Sequence, residues 1–260
     1  NASTSIYGAL VAVDESPLVE GLIYAGTDDG LIHVTSDGGG QWSTVDTFDD
    51  VPDMSLIEDV VSSFHNADVA YAVIDNHKRG DYKPYVLKTD NRGKSWVLIS
   101  NNLPERGSAH TIIEDHVDPN LLFVGTEFGL FFSNDGGKNW SRMTSLPTIS
   151  VLDLEIQRRE GDLVVGTFGR GFYILDDYAP LRATGDELKQ PMLFNVRDAW
   201  LYVPDSRRGW GGKGDWGAGR YTADNPPYGA VFAYYLPEDL QSLKDKRRKD
   251  EQEVQKEGGD

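Results

Sequence analysis

The chain has 260 residues, 28 of them glycine and none cysteine, and a formal net charge of −17 at pH 7. The missing cysteine excludes disulfide scaffolds and thiol chemistry. The charge argues against nucleic acid as a partner, since a phosphate backbone needs a basic surface. Nearly all of the acid excess lies early, because from Asp205 onward 10 basic and 11 acidic residues almost cancel. No run of about 20 apolar residues exists, so no membrane span is expected. The five histidines show no metal-ligand spacing, and no phosphate loop, nucleophile elbow or zinc motif is present. No metal and no cofactor are expected. The chain starts at Asn1 without a signal peptide, which reads as a piece of a longer protein.

Taken in order, the chain repeats itself. Short alternating apolar runs at residues 8–13, 22–26, 31–35 and 42–47 read as four β-strands. A second set follows at 56–64, 69–74, 85–88 and 96–99, with a longer connection over residues 75–84. A third set falls at 111–115, 121–125, 130–133 and 140–143. A fourth has three strands, at 151–157, 163–166 and 172–175. Residues 193–203 supply one more expected strand. This gives an all-β fold made of four-stranded repeats over residues 1–203. Residues 204–227 are rich in glycine and tryptophan and read as a linker. Residues 228–236 alternate like a strand. The charged run at 237–258 has helix-forming composition but too few apolar residues to be buried.

Between third and fourth strands one eight-residue pattern recurs. It runs from Thr35 to Trp42 and from Ser133 to Trp140, with a weaker copy from Thr89 to Trp96. The template is a hydroxyl residue, then Asp37, Asn91 or Asp135 two positions on, a glycine, and a closing tryptophan. This is the chemistry of a tight turn: the acid accepts backbone N–H groups and glycine takes positive φ. The tryptophan can pack between sheets. Trp42, Trp96 and Trp140 are 54 and 44 residues apart, the length of a propeller blade.

The pattern resembles the Asp-box, or BNR repeat, of sialidases, xyloglucanases and the sortilin family. Residues 28–32, 123–130 and 169–177 look like those of large bacterial BNR-repeat proteins described as glycosyl hydrolases or sortilin N-terminal domain proteins. The resemblance implies a β-propeller, with Asp37, Trp42, Asn91, Trp96, Asp135 and Trp140 structural. It also implies a following immunoglobulin-like β domain, which would begin at residues 228–260 and carry the charged helix as an insertion. A secreted, periplasmic or cell-surface location goes with it. Four blades leave two open sheet faces, so further blades from the same longer chain, or another chain, are expected to complete the ring.

The resemblance implies no single reaction, because fold does not fix function. In a propeller, the turns joining second to third strands lie opposite the boxes and face the ligand. They offer Asp28, Asp29, Glu127, Phe128 and Arg170. The long second-blade connection adds His77, Arg79, Asp81 and Tyr82, as insertions on rigid scaffolds often carry recognition. Turn chemistry alone also explains Asp28 and Asp29. The leading expectation is a sortilin-like module binding a glycan or a peptide. The alternative is a glycoside hydrolase of xyloglucanase type, using two carboxylates among Asp28, Asp81 and Glu127. A purely structural module is the third.

Overall fold

The computed structural model describes residues 8–184, 188–199, 201, 228–237, 242–256 and 258. The linker expected at 204–227 lies outside the described residues. The chain divides into two compact units, residues 1–185 and 186–260.

The first unit is a row of four antiparallel sheets, and each is a simple meander. Blade one is β1 (Leu10–Glu15), β2 (Ile23–Thr27), β3 (Ile32–Thr35) and β4 (Ser43–Val45). Blade two is β5 (Leu56–Ser62), β6 (Ala70–Asp75), β7 (Tyr85–Thr89) and β8 (Val97–Leu98). Blade three is β9 (Ala109–Glu114), β10 (Leu122–Thr126), β11 (Gly129–Ser133) and β12 (Ser141–Arg142). Blade four has three strands, β13 (Val151–Gln157), β14 (Asp162–Thr167) and β15 (Phe172–Leu175). The β-propeller architecture expected from the sequence is present. Strands here have to be buried on both faces, which is why β6 and β10 read as continuous apolar runs.

Blades stack face to face through three apolar clusters. Ile32, Val34 and Tyr24 of blade one meet Val60, Leu87 and Trp96 of blade two. Tyr71, Val73 and Val86 meet Ile112, Phe131 and Trp140 in the next interface. Phe123 and Leu130 meet Leu154, Ile156 and Tyr178 in the third. Acidic side chains add clamps between blades. Asp14 accepts the backbone N–H of Ser62 at 2.6 Å, and Asp59 that of Ile112 at 3.2 Å. The buried Glu114 accepts the Ser63 and Tyr71 hydroxyls and the N–H of Phe64.

The three boxes share one wiring. Thr35, Thr89 and Ser133 each donate their hydroxyl to Asp37, Asn91 or Asp135, at 2.8, 2.9 and 2.7 Å. The same hydroxyl accepts the N–H of Gly39, Gly93 or Gly137. The acid or amide then accepts the N–H of Gln41, Ser95 or Asn139. Two consecutive residues take positive φ in each box, and in the second the first of them is Arg92, at φ 58°. Hydrogen bonds from its backbone and side chain to Asp68 hold it there.

The box tryptophan packs against the preceding blade, and Trp140 also donates its ring N–H to the Ile99 carbonyl at 2.8 Å. Trp42 differs from the sequence expectation: it is 48% exposed, against 6% for Trp96 and 4% for Trp140. Among the described residues no blade precedes blade one to receive it. Blade four, which lacks a box, uses Tyr178 instead. Its ring meets Phe123 edge to face at 5.3 Å, and its hydroxyl donates to Asp115 at 2.5 Å. Arg182 grips the same carboxylate through two hydrogen bonds of 2.7 and 2.9 Å.

In the second unit, β16 (Met192–Leu193) pairs with β17 (Tyr234–Tyr235). The longer strands expected at 193–203 and 228–236 are thus two residues each among the described residues. The charged run forms α1 (Leu243–Lys256), with no buried residue, as its composition requires.

Candidate functional site

The candidate residues lie on turns at one end of each meander. Asp28, Glu127 and Arg170 occupy second-to-third turns, and His77–Arg79 form one turn of 3-10 helix in the blade-two connection. In an antiparallel meander these turns and the boxes sit at opposite ends of the sheet. Position on that end is shared, but surroundings are not.

Two of the candidates are taken up by hydrogen bonds within the fold. Asp28 accepts the N–H groups of Gly8 and Ala9 at 2.7 and 2.8 Å. Asp81 accepts the Tyr85 hydroxyl at 2.6 Å and the Lys83 N–H at 3.2 Å. Burial pushes the Asp81 carboxyl up, but these donors outweigh it and hold it below the ordinary carboxylate range. Arg79 donates to the Asp53 carbonyl at 2.7 Å. Asp29 accepts the Thr27 hydroxyl at 2.5 Å and faces a separate hollow of about 310 Å³ with Asp46 and Asp53. Arg170 stands at an exposed tip between Gly169 and Gly171, both at positive φ.

The remaining four come together. His77, Tyr82, Glu127 and Phe128 line a cleft of about 590 Å³ between blades two and three, with Arg106, Gly107, Ser108 and His110. The blade-two insertion and the loop entering blade three are tied by the Gly107 N–H to the Tyr82 carbonyl at 2.8 Å. That loop is tied to the β10–β11 turn by the Glu127 N–H to the Ser108 carbonyl at 2.9 Å. Phe128 lies against Gly107: a Cβ there would meet its ring at 2.9 Å. Tyr82 and Phe128 remain about half exposed, as two aromatic walls. The Arg106 guanidinium lies 5.8 Å from the Tyr82 ring centroid.

At the cleft an imidazole stands between two carboxylates. His110 Nε2 is 3.2 Å from Glu127, and its Nδ1 is 3.8 Å from Glu58. Burial opposes protonation of His110, but the two flanking carboxylates outweigh it and raise its pKa above the usual value. Ser150 donates to Glu127 at 3.1 Å. His77 pairs with the buried Asp75 through Nδ1. With Arg106 beside these carboxylates, the cleft mixes both signs of charge.

Ser108, His110 and Glu58 were not among the residues singled out from the sequence. His110 and Glu58 sit at the same place in their blades, where the inner strand skips one pairing to its neighbour. Such a bulge turns the extra side chain out of the sheet. Aligning Val11, Glu58, His110 and Leu152 as one repeat position was the available signal.

Among the described residues no cluster of metal-ligating side chains occurs, and no helix is long and apolar enough to cross a membrane.

No family model matches the chain, and no curated protein matches it. Solved structures do. The chain is similar to the GH74 xyloglucanase of Xanthomonas campestris, at 21% identity and a TM-score of 0.54, over 65% of this chain and 29% of that one. It is similar to a GH74 enzyme of Niastella koreensis, at 14% identity and a TM-score of 0.52, over 64% of this chain and 28% of that one. YCF48 bound to D1 peptide matches at 17% identity and a TM-score of 0.46, over 64% of this chain and 51% of that one. The chain thus spans about half of YCF48 and under a third of each enzyme. At such identities the likeness speaks for the fold alone, that of β-propeller blades.

Proposed function

We propose that these blades form an extracellular or cell-surface binding module that holds a glycan, or an extended peptide, in the cleft between blades two and three. The observation carrying this reading is the pairing of Tyr82 and Phe128, two half-exposed aromatic walls, with the polar groups of Glu127, His110 and Arg106 in one cleft. Sugar rings stack on aromatic faces, and their hydroxyls bond to carboxylate and guanidinium groups. Orphaned aromatic surface of this kind marks interaction sites. Hydrolysis needs two carboxylates facing across the sugar, about 5–5.5 or about 6.5–9.5 Å apart. Asp28 and Asp81 are engaged in holding turns, which favours binding without turnover. One observation favours the hydrolase: Glu58 and Glu127 flank one imidazole in the cleft. The short β16–β17 pairing supports a separate β domain within residues 186–260.

A glycan array followed by hydrolysis assays on its hits tests the choice. A binding module gives hits that Tyr82→Ala weakens at least tenfold, and no turnover. If the parent chain cleaves a hit and Glu127→Gln loses about 10²–10⁴-fold in rate while still binding, the hydrolase reading replaces it. No hit among glycans and peptides leaves the structural module.

A further inference from the structure

One charge at the cleft between blades two and three has no counterpart. His110 stands between Glu58 and Glu127, and His77 pairs with Asp75, so each imidazole has its carboxylate. Arg106 has none among the described residues. Its guanidinium lies 5.8 Å from the centroid of the Tyr82 ring. The ring holds the cation at the cleft without neutralising it.

Two further polar groups of the cleft are unused. Ser108 is 4% exposed, and its hydroxyl has no hydrogen-bond partner in the fold. A buried polar group in that condition is uncommon and calls for a partner from outside. Glu127 meets both His110 and Ser150 through Oε2, which leaves Oε1 open on a half-exposed side chain. The backbone of the walls, by contrast, is engaged within the fold. The Gly107 N–H donates to Tyr82, the Glu127 N–H to Ser108 and the Phe128 N–H to the Thr126 hydroxyl. An extended peptide is held largely through main-chain hydrogen bonds. A sugar is held by polar side chains and by stacking on aromatic rings, and those are the groups the cleft offers.

We infer that the cleft selects an acidic sugar, a uronic acid unit of a glycan chain, whose carboxylate meets Arg106. The inference rests on the glycan-binding reading above and narrows it. A guanidinium donates two parallel N–H groups to a carboxylate, a geometry that no neutral sugar group matches. Glu127 Oε1 accepts a ring hydroxyl, the Ser108 hydroxyl is available to a second, and Tyr82 and Phe128 cover the apolar faces of the ring. The net charge of −17 does not oppose this. It is screened beyond about 8 Å at physiological salt. One carboxylate needs one guanidinium, where a phosphate backbone needs a broad basic surface.

The test titrates trisaccharides of galacturonate, glucuronate, mannuronate and guluronate into the full chain, each beside its methyl ester, which keeps the sugar and removes the charge. At least one acid should bind about tenfold tighter than its ester, or more, the worth of a charge-assisted pair over a neutral one. Arg106→Gln should abolish that preference and leave acid and ester equal. Arg106→Lys keeps the charge, loses the fork and should retain only part of it. Tyr82→Ala should weaken acid and ester together. Arg106 is exposed, so its variants should keep the fold, and thermal unfolding checks this. Esters or neutral glycans that bind as tightly as the acids overturn the inference and leave the glycan-binding reading standing. An acid preference that survives Arg106→Gln overturns it too. So does an acidic peptide that binds where no sugar does. Failure of every glycan, acidic or neutral, removes the glycan-binding reading itself, and this inference with it.

Discussion

Replacing Arg182 by methionine removes the cation from a carboxylate that has no contact with water. The Asp115 side chain is fully buried, while Arg182 is partly exposed. Arg182 supplies two charge-assisted hydrogen bonds; the Tyr178 hydroxyl and the N–H groups of Val117 and Asp118 remain. Removing one partner of a buried pair costs about 3–5 kcal/mol. The three remaining donors and the exposure of Arg182 reduce this to about 2–4 kcal/mol, read from denaturant midpoints at pH 7. The pH dependence supplies a sharper test. Burial pushes the Asp115 carboxyl up, but Arg182 and Tyr178 outweigh it and hold its pKa below 3.8. A depressed carboxylate contributes stability above its unfolded pKa and loses it as pH falls through the folded one. The parent chain should therefore lose this contribution below about pH 4. In Arg182→Met the depression shrinks, so less stability is present at neutral pH and less is lost as pH falls. Asp115→Asn combined with Arg182→Met should recover part of the loss, since no charge is left buried. A loss under about 1 kcal/mol with an unchanged pH profile would refute the reasoning.

Asp59 tests the opposite sign: burial, aided by the nearby Asp153, raises its pKa from 3.8 to about 6. A raised carboxyl destabilises the fold as pH rises from about 4 to about 6. Asp59→Asn should flatten that slope and gain about 2–3 kcal/mol above it, measured by urea unfolding across pH. Gly125→Ala should cost about 1–3 kcal/mol through overpacking against Val151, and Gly166→Ala under about 0.5 kcal/mol; equal costs in thermal unfolding would contradict the blade contacts. Asp135→Ala removes an acceptor for two backbone N–H groups and the Asn139 amide in a largely exposed turn. About 1 kcal/mol of stability should go, with ligand affinity in the folded variant unchanged; a folded variant that no longer binds would place the boxes in the site.

The blades were legible because their signals are local. A hydroxyl, an acid and a glycine within five residues fix the turn from Thr35 to Gly39 whatever lies around it. Alternation and the recurring tryptophan then set the register. The cleft was half legible. Tyr82 and Phe128 stand on turns, so position in the repeat found them. Arg106 and Ser108 come from a loop whose place depends on contacts to Tyr82 and Glu127 across two blades. His110 escaped notice because a bulge breaks the two-residue period that strand reading relies on. Tyr178 escaped too: nothing local shows that it takes the tryptophan's place.

The bulges have an evolutionary consequence. On each inner strand one residue, Val11, Glu58, His110 or Leu152, is left without a partner in the ladder. Its neighbours, such as Ile57 and Val60 beside Glu58, pack the core. Selection can therefore rewrite these four letters without disturbing the packing that holds the blades. Blades two and three carry an acid and an imidazole there, while one and four carry aliphatic groups. A lineage could recruit the outer blades to new ligands by single codon changes at Val11 and Leu152, with the scaffold left intact.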